Sequence, residues 1–119
     1  MMLAVSAGML GEALALARRG DVALGDVLDL IAASALGSPM VVGKVGFLKA
    51  ADYTPTFSGR QMAKDLDLIL SAANATGLAA PLAAFMRAQF AALGARGEID
   101  QDFIAVVKIA QGLAEARDP

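Results

Sequence analysis

The hydrophobic residues of this 119-residue chain recur three or four positions apart over most of its length, interrupted by glycine, proline and short polar stretches. This spacing is typical of an α-helix that buries one face, whereas a half-buried strand alternates at every second residue. No segment shows sustained alternation. The pattern predicts an all-α fold of five to six helices, over residues 1–19, 22–34, 39–49, 58–76, from 81 to before 94, and 103–117.

Boundary residues support the first three helices. Gly20 follows the first apolar run and predicts its end, since glycine is common just after a helix. Asp21 comes next, and we expect its carboxylate to cap the second helix. The side chains that we expect on the buried side of this helix are Val27, Leu28, Leu30 and Ile31. Ser38 followed by Pro39 is a strong start signal for the third helix, because serine caps helices well and proline fits their first turn.

The second half of the chain has similar signals. Residues 50–56, AADYTPT, predict a loop. Ser58 is placed to cap the fourth helix and Gly77 to end it. Either Asp100 or Asp102 can cap the last helix, and the sequence leaves that choice open.

The fourth helix carries two adjacent charges in an otherwise apolar segment. On a helical projection of about 100° per residue from Met62, its core positions fall within about 100° of one another. Lys64 falls at about 200°, on the opposite side, and Asp65 at about 300°, near the edge of the core. We therefore expect Lys64 to be solvated and Asp65 to be crowded. The core positions are Met62, Leu66, Ile69, Leu70 and Ala73.

The first predicted helix is apolar on nearly all sides, which predicts a long buried helix enclosed on several faces. It does not fit a secretory signal, since Arg18 and Arg19 follow the apolar run and Glu12 interrupts it. Hydrophobic residues make up 57% of the chain and charged residues only 18%. These proportions favour an apolar surface that is covered by a partner.

Composition excludes several kinds of site. Without cysteine or histidine, the chain has no disulfide, no thiol nucleophile and no Ser–His–Asp triad, and a metal site of the zinc type is not expected. The net charge of −2 and the lack of a basic cluster argue against nucleic-acid binding. No GxGxxG or GxxxxGK[ST] motif is present. The acidic pairs 65/67 and 100/102 are interpreted as helix-face and capping residues.

Four segments, in order, resemble the C-terminal domain of the β-hydroxyacid dehydrogenases, the group that includes 3-hydroxyisobutyrate dehydrogenase and resembles 6-phosphogluconate dehydrogenase in this domain. The resemblance covers essentially all 119 residues, and its most specific part is the Lys-Asp-Leu motif in the third segment. The segments are MMLAVSAGMLGEALALA, SALGSPMVVGK, FSGRQMAKDLDLIL and GLAAPLAAFMRAQFAALGARGEIDQDFIAVV.

The resemblance implies a single helical domain over residues 1–119 that closes over the substrate and forms the dimer interface. In such enzymes a separate Rossmann domain binds NAD or NADP, and hydride passes between the cofactor and a small β-hydroxy acid or its semialdehyde. The resemblance also implies a homodimer or tetramer, a cytoplasmic location, and no nucleic-acid or membrane partner.

Three residues match the family's site. Lys64 matches the lysine that lies near the cofactor and the substrate carboxylate, Asp65 the adjoining acid, and Phe57 the aromatic residue beside the substrate pocket. If helical geometry extended back to Phe57, it would share a face with Lys64. The family's catalytic lysine stands before the first helix, so we expect no catalytic residue in this chain and no activity from it alone. The alternative is a stand-alone helical interaction or dimerisation module without a cofactor.

Overall fold

A computed structural model describes the backbone of residues 1–115 and the side chains of residues 1–112. This part of the chain contains six α-helices and one 3-10 helix, and its one β-type feature is a single antiparallel bridge between Ser58 and Asp102. The predicted all-α fold is confirmed. The elements are α1 (Met2–Arg19), α2 (Leu24–Ala33), α3 (Pro39–Lys49), α4 (Gly59–Thr76), α5 (Pro81–Ala95), the 3-10 helix (Phe103–Val106) and α6 (Val107–Glu115).

The core forms around the 3-10 helix, all four residues of which are buried. Helix α1 packs mainly on α6, and α4 packs mainly on α5. Both pairs meet the 3-10 helix, so the two halves of the domain share one core. Its largest fully buried apolar side chains are Phe90, Leu14, Leu66, Leu93, Ile104 and Val107.

Helices α1 and α6 approach each other closely at Gly11. A Cβ atom added there would lie 3.0 Å from the Cα of Val107, closer than ordinary van der Waals contact. The contact atom belongs to the backbone, which cannot turn aside as a side chain can. Glycine at this position therefore sets the distance between the two helices.

Helix α1 buries one side only. Ala4, Ala7, Leu10 and Leu14 are buried on that side, while Met2 is 80% exposed and Leu16 is 76% exposed. The prediction of a helix enclosed on several faces is therefore not met within one chain, because the described elements leave Met2, Met9 and Leu16 exposed on the outer side. None of the helices in the described residues has the length and hydrophobicity needed to cross a membrane.

The predicted capping of α4 is confirmed in detail. The Ser58 hydroxyl accepts a hydrogen bond from the Gln61 backbone N–H, and the Gln61 side chain accepts one from the Ser58 N–H, which forms a capping box. Gly77 ends the helix with a φ of 72°. Helix α5 runs past the expected end to Ala95, and the turn that follows contains Gly97 with a φ of 77°.

Two expectations for the second helix are wrong. Asp21 does not cap it: this residue has a φ of 58°, and its N–H donates to the Arg18 carbonyl in the turn that ends α1. Helix α2 starts later, after Ala23. Leu30, expected on the buried side with Val27, Leu28 and Ile31, is 71% exposed, because α2 lies at the edge of the domain and buries only Leu28 fully.

Asp102 is the capping residue at the start of the final helical segment, and its carboxylate is 1% exposed. One carboxylate oxygen, Oδ1, accepts hydrogen bonds from the backbone N–H groups of Thr56 at 3.0 Å and Phe57 at 3.3 Å. The other, Oδ2, accepts one from the Ile104 N–H at 3.1 Å. The carboxylate therefore ties the loop before α4 to the 3-10 helix. The last predicted helix residue, Arg117, lies outside the described residues.

Lys44 supplies the counter-charge. Its Nζ lies 2.9 Å from Oδ2 of Asp102, and its side chain is only 12% exposed. The ammonium also lies 5.2 Å from the centre of the Phe103 ring and 5.6 Å from that of Phe47, both within cation–π range. Through Lys44, helix α3 contacts the same Asp102 carboxylate that binds the loop before α4 and the 3-10 helix.

The pKa of the Asp102 carboxyl reflects two opposing effects. Burial raises it, but the hydrogen bonds from Lys44 and from the N–H groups of Thr56, Ile104 and Phe57 outweigh burial and hold the pKa below its ordinary value. A carboxyl whose pKa is lower in the folded state contributes stability above its unfolded pKa of about 3.9. This contribution is lost as pH falls through the folded-state value.

We predict that Lys44→Met lowers the free energy of unfolding by about 3 kcal/mol, because the buried carboxylate loses its cation. Lys49→Met is the matched control. Lys49 pairs with Asp29 at 2.7 Å on the surface, so its loss should cost below about 1 kcal/mol. Denaturant unfolding monitored by circular dichroism measures both values, and equal losses would contradict a structural role for the Lys44–Asp102 pair.

We also predict that the contribution of the Asp102 carboxylate to the free energy of unfolding decreases as the pH falls. The difference between the unmodified chain and Asp102→Asn should stay constant above about pH 5 and narrow below about pH 4, where the unfolded carboxyl takes up a proton. Asp29→Asn, which removes an exposed carboxylate, should have a much smaller effect throughout. A difference that widened on acidification would show that the folded-state pKa is raised instead.

Candidate functional site

The first turn of α4 is anchored to the segment that follows α5. The Gly59 N–H donates to the Gln101 carbonyl at 2.9 Å, and the Arg60 N–H donates to the Ile99 carbonyl at 2.8 Å. A Cβ atom on Gly59 would lie 2.8 Å from the Ile99 oxygen, so a larger residue would push the two segments apart. These contacts fix where the side chains of the first turns of α4 project.

An open groove of about 520 Å³ runs between α4 and α5 beside this anchor. Small residues, Ala63, Ala91 and Gly94, keep it open, and charged side chains stand along it. Lys64, the residue that the family resemblance predicts to meet a ligand, is among them. The charged residues of the groove are Arg60, Lys64, Asp67 and Arg87.

Two of the three cations in the groove have carboxylate partners. Nε and one terminal nitrogen of Arg60 bind Asp100 at 2.8 and 3.2 Å, and Nε of Arg87 binds Asp67 at 2.7 Å. The ammonium of Lys64 has no ion-pair or hydrogen-bond partner among the described residues. Lys64 is exposed, as predicted, and its charge is available to a ligand.

Asp65 does not have the predicted surroundings. It is exposed rather than crowded at the core edge, and it does not line the groove that contains Lys64. The neighbouring core positions, Met62 and Leu66, pack inward as expected. Asp65 projects to solvent because no helix among the described residues covers that side of α4.

Phe57 lies outside α4, because Ser58 is the N-cap, with extended backbone angles of −73° and 157°. Helical geometry therefore does not extend back to Phe57, and the condition under which it would share a face of α4 with Lys64 is not met. Its ring is half-buried and meets the Phe103 ring edge to face, with centres 6.3 Å apart. Phe57 does not line the Lys64 groove. The structure thus does not bring Phe57, Lys64 and Asp65 into one cavity within this chain.

Sequence reasoning missed three charged residues of the groove. Arg60 and Asp67 lie four residues before and three residues after Lys64, a spacing that puts all three on one side of a helix and that could have indicated them. Arg87 lies on α5, 20 residues from Asp67, and no local pattern connects it to α4.

Comparison with known proteins settles the family. Residues 1–110 match the family model described as "NAD-binding of NADP-dependent 3-hydroxyisobutyrate dehydrogenase". The chain belongs to the 3-hydroxyisobutyrate dehydrogenase family. The cofactor of the enzymes of this family is therefore NAD or NADP, as the resemblance implied.

Several relatives of this family are similar over most of the chain. It is 32% identical to L-threonate dehydrogenase from Pectobacterium atrosepticum over 102 residues, which cover 86% of the chain and 34% of that protein. The crystal structure of 3-hydroxyisobutyrate dehydrogenase from Salmonella typhimurium matches with a TM-score of 0.84 and 30% identity, covering 91% of this chain and 38% of that one. The chain thus spans about a third of the length of these two dehydrogenases.

A third relative has a different kind of name. The chain is 37% identical over 71 residues to cytokine-like nuclear factor N-PAC from Drosophila melanogaster, a match that covers 60% of the chain and 12% of that protein.

The groove is chemically suited to part of a nicotinamide dinucleotide or of an organic acid. Both carry anionic oxygens, and the unpaired ammonium of Lys64 offers three hydrogen-bond donors to such a group. The chain contains no glycine-rich phosphate loop, so its own residues fit contact with one end of a dinucleotide rather than enclosure of all of it.

Proposed function

We propose that this chain is the helical domain of an NAD(P)-dependent oxidoreductase that acts on a small β-hydroxy acid or its semialdehyde. In this function it works with a dinucleotide-binding domain, closes over the nicotinamide and the substrate, and forms part of a homodimer or tetramer. L-threonate and 3-hydroxyisobutyrate, named in two relatives, share a carboxylate and a hydroxyl on the β-carbon. They define the substrate class that we expect.

The unpaired charge of Lys64 is the observation that carries this proposal. Exposed lysines without a partner are common on protein surfaces, but Lys64 lines a groove beside two arginines that pair with carboxylates. It also occupies the position of the lysine in the Lys-Asp-Leu motif that the family resemblance assigns to the cofactor and substrate carboxylate.

The chain's residues have binding and positioning roles in this function. The Lys64 ammonium holds an anionic oxygen of the cofactor or of the acid, because no carboxylate among the described residues occupies its donors. Phe57 and Asp65, which do not line the Lys64 groove within this chain, take the roles that the resemblance assigns to them only when the dinucleotide-binding domain completes the substrate pocket. The cofactor supplies hydride chemistry when bound. Lys64 holds charge and does not transfer a proton in this proposal.

The open side of α1 supports the proposed dimer. Met2, Met9 and Leu16 are spaced by seven residues and are all exposed, as in a helix that packs against another helix along this side. Ser6 and Ala13 lie between them and are small enough to let a second helix approach.

We predict that the chain forms a dimer at micromolar concentration, because this apolar side would otherwise face water. Light scattering coupled to size exclusion measures the mass. Met9→Glu should shift the equilibrium to monomer, and Glu12→Gln on the same helix serves as a matched control that leaves the mass unchanged. A chain that is monomeric before any substitution would contradict the proposal.

Lys64→Ala should lower kcat/KM for the hydroxy acid about ten- to a hundredfold, the effect of removing one hydrogen bond to a charged group. The assay uses the protein that joins this domain to its dinucleotide-binding domain, with 3-hydroxyisobutyrate and L-threonate as substrates and both NAD⁺ and NADP⁺. Circular dichroism and the melting temperature should be unchanged. Lys49→Ala, which removes a paired surface lysine, is the control.

The second candidate is a stand-alone interaction or dimerisation module without a cofactor. The similarity to a protein named as a nuclear factor favours it, as do the many exposed apolar side chains. An interaction module would show no dehydrogenase activity with or without the substitution. Lys64→Ala would then leave both partner binding and folding unchanged.

A further inference from the structure

Arg87 is held differently from the other arginine of the groove. Its Nε donates to Asp67, and its two terminal nitrogens have no hydrogen-bond partner among the described residues. Arg60 instead uses Nε and one terminal nitrogen on Asp100. A guanidinium bound only through Nε keeps the two nitrogens that can bind an oxyanion in a fork.

Asp67 links Arg87 to Lys64. It lies three residues after Lys64 on α4, so the two side chains share one side of the helix. Lys64 and Arg87 both line the groove, from α4 and from α5. The side chain of Arg87 is 34% exposed, so part of it remains accessible to a ligand.

We propose that Lys64 and Arg87 together bind one oxyanion, a phosphate or a carboxylate group, and that Asp67 positions Arg87 for this contact. The inference rests on the proposed function for the source of the ligand, which is either a phosphate of the dinucleotide or the carboxylate of the hydroxy acid. Lys64 provides a point charge and Arg87 provides a planar pair of donors.

Substitution of Asp67 is the most discriminating test, because an effect of net charge and an effect of positioning change the anion affinity in opposite directions. If only net charge mattered, Asp67→Asn would strengthen anion binding, since the groove would become more positive. If Asp67 positions Arg87, the same change releases the guanidinium and weakens binding.

The experiment titrates the 119-residue chain with inorganic pyrophosphate and, separately, with 3-hydroxyisobutyrate. The NMR signals of the Arg87 Nε–H group and of the backbone amides of residues 63–67 and 87–94 report binding. We expect one of the two probes to shift both sets, and the probe that does so identifies the phosphate or the carboxylate as the ligand group. Failure of both probes to shift the Arg87 signal would overturn the proposal.

The variants then separate the roles. Arg87→Gln and Lys64→Gln should each raise the Kd at least tenfold, and Asp67→Asn should raise it at least threefold. Arg60→Gln is the matched control, because Arg60 lies in the same groove but binds Asp100 through both Nε and a terminal nitrogen. This change should alter the Kd less than threefold. Tighter binding by Asp67→Asn, or equal losses for Arg60→Gln and Arg87→Gln, would overturn the proposal.

The outcome is separable from that of the proposed function. Turnover that depends on Lys64 but not on Arg87 would contradict this inference alone. Anion binding by both residues in a protein without dehydrogenase activity would contradict the proposed function alone.

Discussion

The buried carboxylate of Asp102 is the interaction on which the arrangement of this domain depends. A charged group that is 1% exposed is costly unless hydrogen bonds and a counter-ion satisfy it. Here the partners come from three separate parts of the chain: Lys44 on α3, Thr56 and Phe57 in the loop before α4, and Ile104 in the 3-10 helix. Satisfying this one carboxylate requires all three parts to be in place.

The position of α4 follows from this constraint. The same loop that donates to Asp102 leads directly to the capping box at Ser58, and the next two N–H groups bind the carbonyls of Gln101 and Ile99. The start of α4 is therefore fixed by the loop before it, which binds Asp102, and by its own hydrogen bonds to Gln101 and Ile99. Since α4 and α5 pack together from there, the groove between them has a defined shape, and the side chains that line it project from a fixed backbone.

The charges of the groove show how the fold gives chemically similar side chains different partners. Arg60, Lys64 and Arg87 are chemically similar cations on two neighbouring helices. The fold assigns a bidentate partner to the first, a single Nε partner to the third, and none within the described residues to Lys64. Free donors on an otherwise satisfied surface are what an anionic cofactor or acid requires. The family to which the chain belongs uses such ligands.

Local sequence determined the helices, and it did so because their signals are local. The capping box of Ser58 and Gln61, the Ser38–Pro39 start and the left-handed Gly77 each act within a few residues, and each lies where it was predicted. The family motif likewise indicated Lys64. Asp21 was misjudged because a competing local role, ending α1 at positive φ, was equally compatible with its residue type.

Tertiary structure decided which charges are paired and which residues share a cavity. Asp102 and Thr56 are 46 residues apart, Arg60 and Asp100 are 40 apart, and Arg87 and Asp67 are 20 apart. No periodic pattern within one helix encodes such pairs, because each depends on how two helices or loops are placed relative to each other. The sequence therefore identified Lys64 as a candidate, and only the packing of α4 against α5 left its ammonium unpaired among the described residues and placed Arg87 in the same groove.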